Sequence, residues 1–405
     1  MDRSEAVPSP RHFRPLPPWA QGPATIALHG AQRPERNAGA VVPPIYQTST
    51  FRFPGPYSEL GIEGPPYLYT RHDNPTQEVA AETVRLLEGG ESARVYGSGM
   101  GAISAALLGL LSPGEELVAM ENLYGGTVGL CSGLLRRLGI AVRWVSPHEE
   151  AEPELVLSDR TRVVFLESPS NPLLQVHDIA QWAAAADARG ALTIVDNTLA
   201  TPVNQHPIEL GADVVVHSGT KYLGGHSDLM AGALVAPRSI MDRIHATDIG
   251  LGSVLDPFAA FLLARGMKTL PLRVERQNRS AAWLVEQLVA IPEVERVWYP
   301  GRASPEEEAL AARQMGGRSG VLAFVLRGGL AAARRTLARL ECVHVASSFG
   351  GVESLVSLPE ETSHVGLSEA ERRECGMPSG MLRLSVGLEE PEVLLSDLRQ
   401  AIGSG

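Results

Sequence analysis

The chain is short of the features that mark several functional classes. It has three cysteines in 405 residues. Cys131, Cys342 and Cys375 are far apart, odd in number and free of any CxxC pair, so neither a disulfide framework nor a zinc site is supported. They read as free thiols in a reducing compartment. Basic excess is also missing: the formal net charge is −11, whereas a nucleic-acid surface needs clustered Lys and Arg. A local anion pocket is still allowed. No apolar run approaches the ~18–20 residues of a membrane span. The 11 histidines are scattered without ligand spacing, so no metal is expected. Residues 1–22, "MDRSEAVPSPRHFRPLPPWAQG", lack the apolar centre of a signal peptide, and a cytoplasmic location is the simplest expectation. Internal repeats and low-complexity tracts are absent.

What the chain does have is apolar residues, 44% of the total. That is ample for a large core, and the length exceeds a typical domain of roughly 100–200 residues, so two domains are expected. Residues 1–65 are irregular and proline-rich, and read as an arm wrapped on something else. "NPTQEVAAETVRLLEGG" (74–90) reads as a helix, with Pro75 in its first turn and Gly89-Gly90 as its stop. Short apolar strands then alternate with helices: "ARVY" (93–96), "LVAM" (117–120), "VRWV" (142–145), "RVVFLE" (162–167), "LTIVD" (192–196), "DVVVH" (213–217) and "GALVA" (232–236). Helices are expected over 99–111, 128–138 and 179–190. This alternation predicts an α/β fold with a mainly parallel sheet covered on both faces, over residues 66–256. From 257 a long helical stretch, with Pro271 as a kink, leads to "EVERVWY", "GVLAFVL", "ECVHVAS" and "MLRLSVG". These predict a smaller α/β domain of mixed strands over 257–405.

Chemistry gathers at the strand ends, where doubly wound sheets bind ligands. "GSGMGA" (97–102) fits a dinucleotide fingerprint. The physics is narrower: glycines at a helix N-terminus offer backbone N–H groups to an anion, and the anion's identity is open at this point. Asp196 ends "LTIVD", where a buried carboxylate needs a cationic partner. Lys221 follows the next strand in "HSGTK", beside Ser218 and Thr220. Taken singly, Asp196 suits a helix cap and Lys221 a snorkelling surface residue. Together, an anion cradle, a buried Asp and a strand-end Lys fit pyridoxal 5′-phosphate (PLP). That cofactor uses a Schiff-base lysine, an acidic partner for its ring nitrogen and a helix N-terminus for its phosphate.

The run "DNTLATPVNQHPIELGADVVVHSGTKYLGGHSDLMAG" closely resembles the Cys/Met-metabolism group of PLP-dependent enzymes, which holds cystathionine γ-synthases, cystathionine γ- and β-lyases, methionine γ-lyases and homoserine-ester sulfhydrylases. "YTRHDNPT", "YGSGMGAI", "NLYGGT", "FLESPSNP", "SSFGGVESLVS" and "LRLSVGLE" extend the resemblance from about residue 40 to the end. It implies the type I, aspartate aminotransferase-like transferase fold. It implies Lys221 as the Schiff-base lysine, Asp196 as partner of the ring nitrogen, and Gly99, Met100, Ser218 and Thr220 as phosphate ligands. Tyr124 would stack on the ring and pass a proton to the leaving group. Tyr69 and Arg71 would reach the phosphate of a neighbouring subunit, which implies a homotetramer built as a dimer of dimers. Asn171, Ser348 and Arg383 would grip the substrate carboxylate. The resemblance departs from its own pattern at Ser347, where γ-synthases and many cystathionine γ-lyases carry a glutamate, and at Gly126, where methionine γ-lyases usually have a cysteine. The expected reaction is γ-elimination on a cystathionine-like or methionine-like thioether, giving 2-oxobutanoate, ammonia and a thiol. γ-Replacement on an activated homoserine is the runner-up, and a dinucleotide oxidoreductase a remote alternative.

Overall fold

A computed structural model describes residues 22–31, 39–52, 67–146, 149–150 and 152–403. Most of the segment read as an arm, namely 1–21, 32–38 and 53–65, lies outside the described residues. Within that segment the structure corrects the irregular reading at one place: Pro23–His29 is a helix and packs on the Pro75–Glu88 and Leu270–Val289 helices of the same chain.

Seven strands form the larger sheet: β1 (Ser92–Tyr96), β2 (Glu116–Met120), β3 (Ala141–Val145), β4 (Thr161–Glu167), β5 (Leu192–Asp196), β6 (Val214–Ser218) and β7 (Gly232–Ala236). Their order is β1-β7-β6-β5-β4-β2-β3. The pairings from β3 across to β6 are parallel. β7 runs antiparallel to both β6 and β1. β2 and β7 are buried at every position, as expected of strands covered on both faces. Phe165, Ile194, Val214 and Leu234 join the Gly99–Leu110 and Ile179–Asp187 helices in one core.

The second sheet has the order β10-β11-β12-β9-β8, from β8 (Val294–Trp298), β9 (Val321–Leu326), β10 (His344–Val345), β11 (Leu355–Ser357) and β12 (Leu382–Ser385). It is mixed, with β10 and β11 parallel and the other pairs antiparallel. The Leu270–Val289 and Pro391–Gly403 helices cover it. A separate core carrying Tyr222, Leu263, Met267, Val321 and Phe349 joins the two sheets.

Two boundaries differ from the sequence reading. The expected kink at Pro271 is a break between helices Pro257–Met267 and Leu270–Val289. Pro271 sits in the first turn of the second helix, where a missing N–H costs nothing. The helix expected at 128 starts at Gly125, with Tyr124 as its N-cap, and passes into a π turn at Leu130–Leu135. The Gly125-Gly126 pair serves close packing there. A Cβ on Gly125 would lie 2.1 Å from the Ser363 carbonyl oxygen, and one on Gly126 would lie 2.5 Å from the Tyr124 ring.

Among the described residues no helix is long and apolar enough to cross a membrane.

Candidate active site

Register sets the site. Glu167 at the end of β4 pairs with Asp196 at the end of β5, and Asp196 with Val216 two residues before Ser218 on β6. Three neighbouring strands therefore end at one level, beneath a cavity of about 470 Å³. Lys221 stands in the turn that follows β6, its N–H donating to Ser218 O at 3.2 Å. That placement puts the lysine at the cavity wall.

The anion cradle lies on one side. Ser98 caps the Gly99–Leu110 helix, its Oγ accepting from Gly101 N at 3.0 Å. The first intrahelical bond is Ala102 N to Ser98 O, so the N–H groups of Gly99 and Met100 precede the ladder and have no partner within the helix. A Cβ on Gly99 would stand 2.8 Å from the Ser218 Cβ, which forces glycine where the helix end meets β6. Ser218 and Thr220 border the same space. Thr220 Oγ accepts from Ala231 N at 3.0 Å, tying the lysine turn to the start of β7.

Asp196 is only 6% exposed. Burial raises its carboxyl above the usual range. Its hydrogen bonds come from the backbone N–H of Thr198, at 3.0 Å, and from the Thr198 hydroxyl. Among the described residues no cation makes an ion pair with it. A cationic group brought into the cavity would supply what such a carboxylate lacks.

On the opposite side, Lys221 Nζ donates to Ser348 Oγ at 2.7 Å and lies 5.2 Å from the centre of the Phe349 ring. Burial, and then the Arg383 charge, lower Lys221 to about 8. Arg383, 4% exposed, donates from Nη1 to Asn171 Oδ1 at 2.8 Å and from Nη2 to the Ser348 carbonyl at 3.1 Å. Its buried Nε–H has no protein partner among the described residues. Burial lowers the guanidinium to about 10; an entering carboxylate would complete the hydrogen bonding of the unpartnered Nε–H. Ser348 holds a φ of 93°, a left-handed conformation uncommon for a residue with a side chain and frequent at functional sites. Tyr124 and Ser347, both partly open to solvent, stand at the cavity wall with Met230.

The structure thus brings eleven of the sequence-predicted residues to one cavity. Tyr69 and Arg71 are not among them; Arg71 lies 5.6 Å from the Tyr69 ring, away from this wall. Sequence reading missed Glu167 and Phe349. Glu167 ends the apolar run "RVVFLE" just as Asp196 ends "LTIVD", and that parallel was the available signal. The dinucleotide reading of 97–102 fails on topology. β1 is an edge strand whose one ladder, to β7, is antiparallel, as is its bridge from Tyr96 to Val254, whereas the fingerprint turn belongs to a parallel βαβ unit.

A strand-end lysine, a buried carboxylate with no ion-pair partner among the described residues, a glycine cradle at a helix N-terminus and an arginine with an unused N–H define an α/β enzyme built around a PLP-type cofactor and an amino-acid carboxylate. The match to known proteins is specific. A model of the Cys/Met metabolism PLP-dependent enzymes covers residues 24–403. The L-methionine γ-lyase of Pseudomonas putida is 42% identical over 386 residues, 94% of this chain and 97% of that protein. The cystathionine γ-lyase of Bacillus subtilis is 38% identical, over 93% and 98%. The solved cystathionine γ-synthase of Xanthomonas oryzae pv. oryzae, in complex with aminoacrylate and cysteine, superposes with a TM-score of 0.89 at 37% identity, covering 94% of this chain and 98% of that one. The chain belongs to the Cys/Met metabolism family of PLP-dependent enzymes, and PLP is its cofactor.

Proposed function

We propose that this enzyme catalyses γ-elimination on thioether amino acids of the cystathionine or methionine type, releasing 2-oxobutanoate, ammonia and a thiol. The observation that carries the choice is the cavity rim. Ser347 and Met230 stand there, and the cavity's two carboxylates, Glu167 and Asp196, are buried at strand ends. The described rim therefore carries no acid to bind a second amino group, which favours smaller γ-substituents while leaving cystathionine admissible.

In this reading Asp196 holds the cofactor's ring nitrogen. The N–H groups of Gly99 and Met100, with Ser218 and Thr220, hold its phosphate. When bound, PLP supplies an electron sink for the charge left at Cα. Arg383, with Asn171 and Ser348, fixes the substrate carboxylate. Lys221 Nζ, freed when the substrate amine replaces it, would take the Cα proton as general base; once it has passed that proton on, it can serve the Cβ proton in the same way. Tyr124 covers the ring and protonates the departing thiolate. Tyr69 and Arg71 reach the phosphate in a neighbouring subunit of a homotetramer, a dimer of dimers in the cytoplasm. Residues 66–256 form the cofactor domain and 257–405 the C-terminal domain.

A second reading, γ-replacement on an activated homoserine, draws support from the likeness to the Xanthomonas γ-synthase. The test offers methionine, cystathionine and cysteine singly, then O-succinyl- and O-acetylhomoserine with cysteine. Release of 2-oxobutanoate from the thioethers is expected. Cystathionine accumulating from an ester, with the thioethers untouched, would establish the second reading.

A further inference from the structure

The turn that carries Lys221 is wound around a buried guanidinium. Before Lys221 the chain is tied to the larger sheet, Thr220 N donating to Ala231 O at 3.2 Å. After it the backbone stays in turn conformation through residue 224, away from the sheet ladder. Lys221 O accepts from Gly225 N at 2.7 Å, which closes the turn. The next carbonyl, that of Tyr222, accepts from Arg273 Nη1 at 2.9 Å. Arg273 lies in the first turns of the Leu270–Val289 helix and is 3% exposed. Its Nη2 donates to Gly266 O at 2.9 Å, and its Nε to Thr269 Oγ1 at 3.1 Å. Gly266 belongs to the last turn of the Pro257–Met267 helix, where carbonyls lack helical partners and the dipole favours a cation. A buried guanidinium is costly unless its N–H groups are met. Here the break between the two helices meets them with neutral oxygens. Gly225, at φ 72°, packs on the other side, where a Cβ would run into Nη1 and Cζ of Arg273.

We propose, on the reading of Lys221 as the lysine that carries the cofactor, that Arg273 is a positioning residue which holds the Lys221 turn and so aims the lysine amine into the cavity. The direction of the Lys221 Cα–Cβ bond depends on the peptides on either side of it. The peptide before it is fixed by the sheet. The peptide after it is fixed by the Gly225 N–H, and Gly225 rests on the guanidinium. Arg273 also takes the next carbonyl, so the exit of the turn is held at two points by one side chain. Shape matters here more than charge. The planar fork reaches the Tyr222 and Gly266 carbonyls at once, which a lysine's single ammonium cannot reproduce. The same contact explains the second glycine of "YLGG" (222–225), which has both a left-handed backbone and no room for a side chain.

The test compares Arg273→Lys, Arg273→Met and Gly225→Ala with Leu284→Ala, each in the full cofactor-loaded chain. Leu284 is buried on the same helix but packs in the core of the smaller sheet, so it controls for lost stability alone. The readouts are the visible circular dichroism of the bound cofactor, the rate at which cofactor-free protein captures it, thermal unfolding, and kcat and KM on a thioether. The two arginine variants and Gly225→Ala should each change the dichroic band and slow capture. They should lower kcat at least about ten-fold with KM changed less than about three-fold, because a reacting group misplaced by about 1 Å can cost about a hundred-fold in rate. Leu284→Ala should lower the unfolding temperature while its band and kcat stay near those of the parent. Gly225→Ala keeps the arginine and only displaces it, so it decides the matter if the arginine variants do not fold. Arg273→Lys with the parent's band and kcat, Gly225→Ala with both unchanged, or Leu284→Ala with a band altered as much as the arginine variants would each overturn the proposal. Borohydride trapping of the parent's cofactor on Lys268 would overturn the reading of Lys221 beneath it. A parent without thioether turnover would instead overturn the proposed reaction, and the dichroic and capture comparisons would still decide the role of Arg273.

Discussion

At the scale of single residues, the site depends on two cations kept close together in a buried place. Lys221 and Arg383 both border the Phe349 ring at 5.2 Å, and burial depresses both. For Lys221 the stability consequence has a definite sign. Between about 8, its value in the fold, and the ordinary ~10.5 of a free lysine, the unfolded chain still binds the proton that the folded chain has released. In cofactor-free protein this group therefore makes folding more favourable as pH rises through that window, by at most about 1.4 kcal/mol per pH unit. That contribution is absent below about 8. Lys221→Met removes the charge and keeps the apolar stem. Its stability advantage over the parent should shrink between about pH 7.5 and about pH 9.5 in denaturant titrations; a constant difference would show that Lys221 is not depressed. Arg383 invites a sharper substitution. Its two Nη groups serve Asn171 and Ser348 at once, which a lysine's single ammonium cannot reproduce. Arg383→Lys should cost about 2 kcal/mol, roughly thirty-fold in kcat/KM, mostly through KM. Steady-state kinetics with and without the α-carboxylate check this; a loss that persists on a carboxylate-free analogue would reassign the arginine.

At the scale of elements, the meeting of the Gly99–Leu110 helix with β6 is the tightest constraint on the cradle. Gly99→Ala puts a methyl group 2.8 Å from Ser218 Cβ and 3.0 Å from its Cα. Neither atom is the mobile end of a side chain, so the helix must move away from the strand. We expect a loss of about 1–3 kcal/mol in stability together with weaker cofactor binding. Stability lost with cofactor affinity unchanged would mean that the helix end does not hold the anion. Much of this level was legible in the sequence. The seven strands of the larger sheet were evident because each is a short apolar run flanked by turn residues, and Asn74, Pro75 and Gly89 delimit their helix by capping chemistry that is local. The strand-end lysine and aspartate were legible for the same reason. The start of the Tyr124 helix was not, because "YGGT" reads as a break until Ser363 and the Tyr124 ring are seen against its glycines. β11 was missed as a strand: three residues carry no period, and its place is fixed by pairing with β12. Glu167 takes its place at the cavity only when register sets it beside Asp196 and its carboxylate accepts from the Tyr124 N–H. Such features depend on neighbours distant in the chain, which no local pattern encodes.

At the scale of the whole molecule, the cavity wall contains Lys221, Asp196 and Arg383 but neither Tyr69 nor Arg71. If those two act in a neighbouring subunit, Arg71→Ala and Lys221→Ala proteins should each be nearly inactive. A mixture allowed to exchange subunits should regain activity, because some sites then combine an intact Lys221 with an intact Arg71. No recovery after verified exchange would confine each site to one chain. The central claim, that this fold exists to place Lys221 against PLP, has a more direct test. The chain has only two lysines, Lys221 and Lys268. Borohydride reduction of the cofactor-loaded enzyme, followed by digestion and peptide mapping, fixes the cofactor to whichever amine holds it. The expected result is one cofactor per chain, on Lys221 alone. Cofactor on Lys268, or none retained on any lysine, would contradict the account.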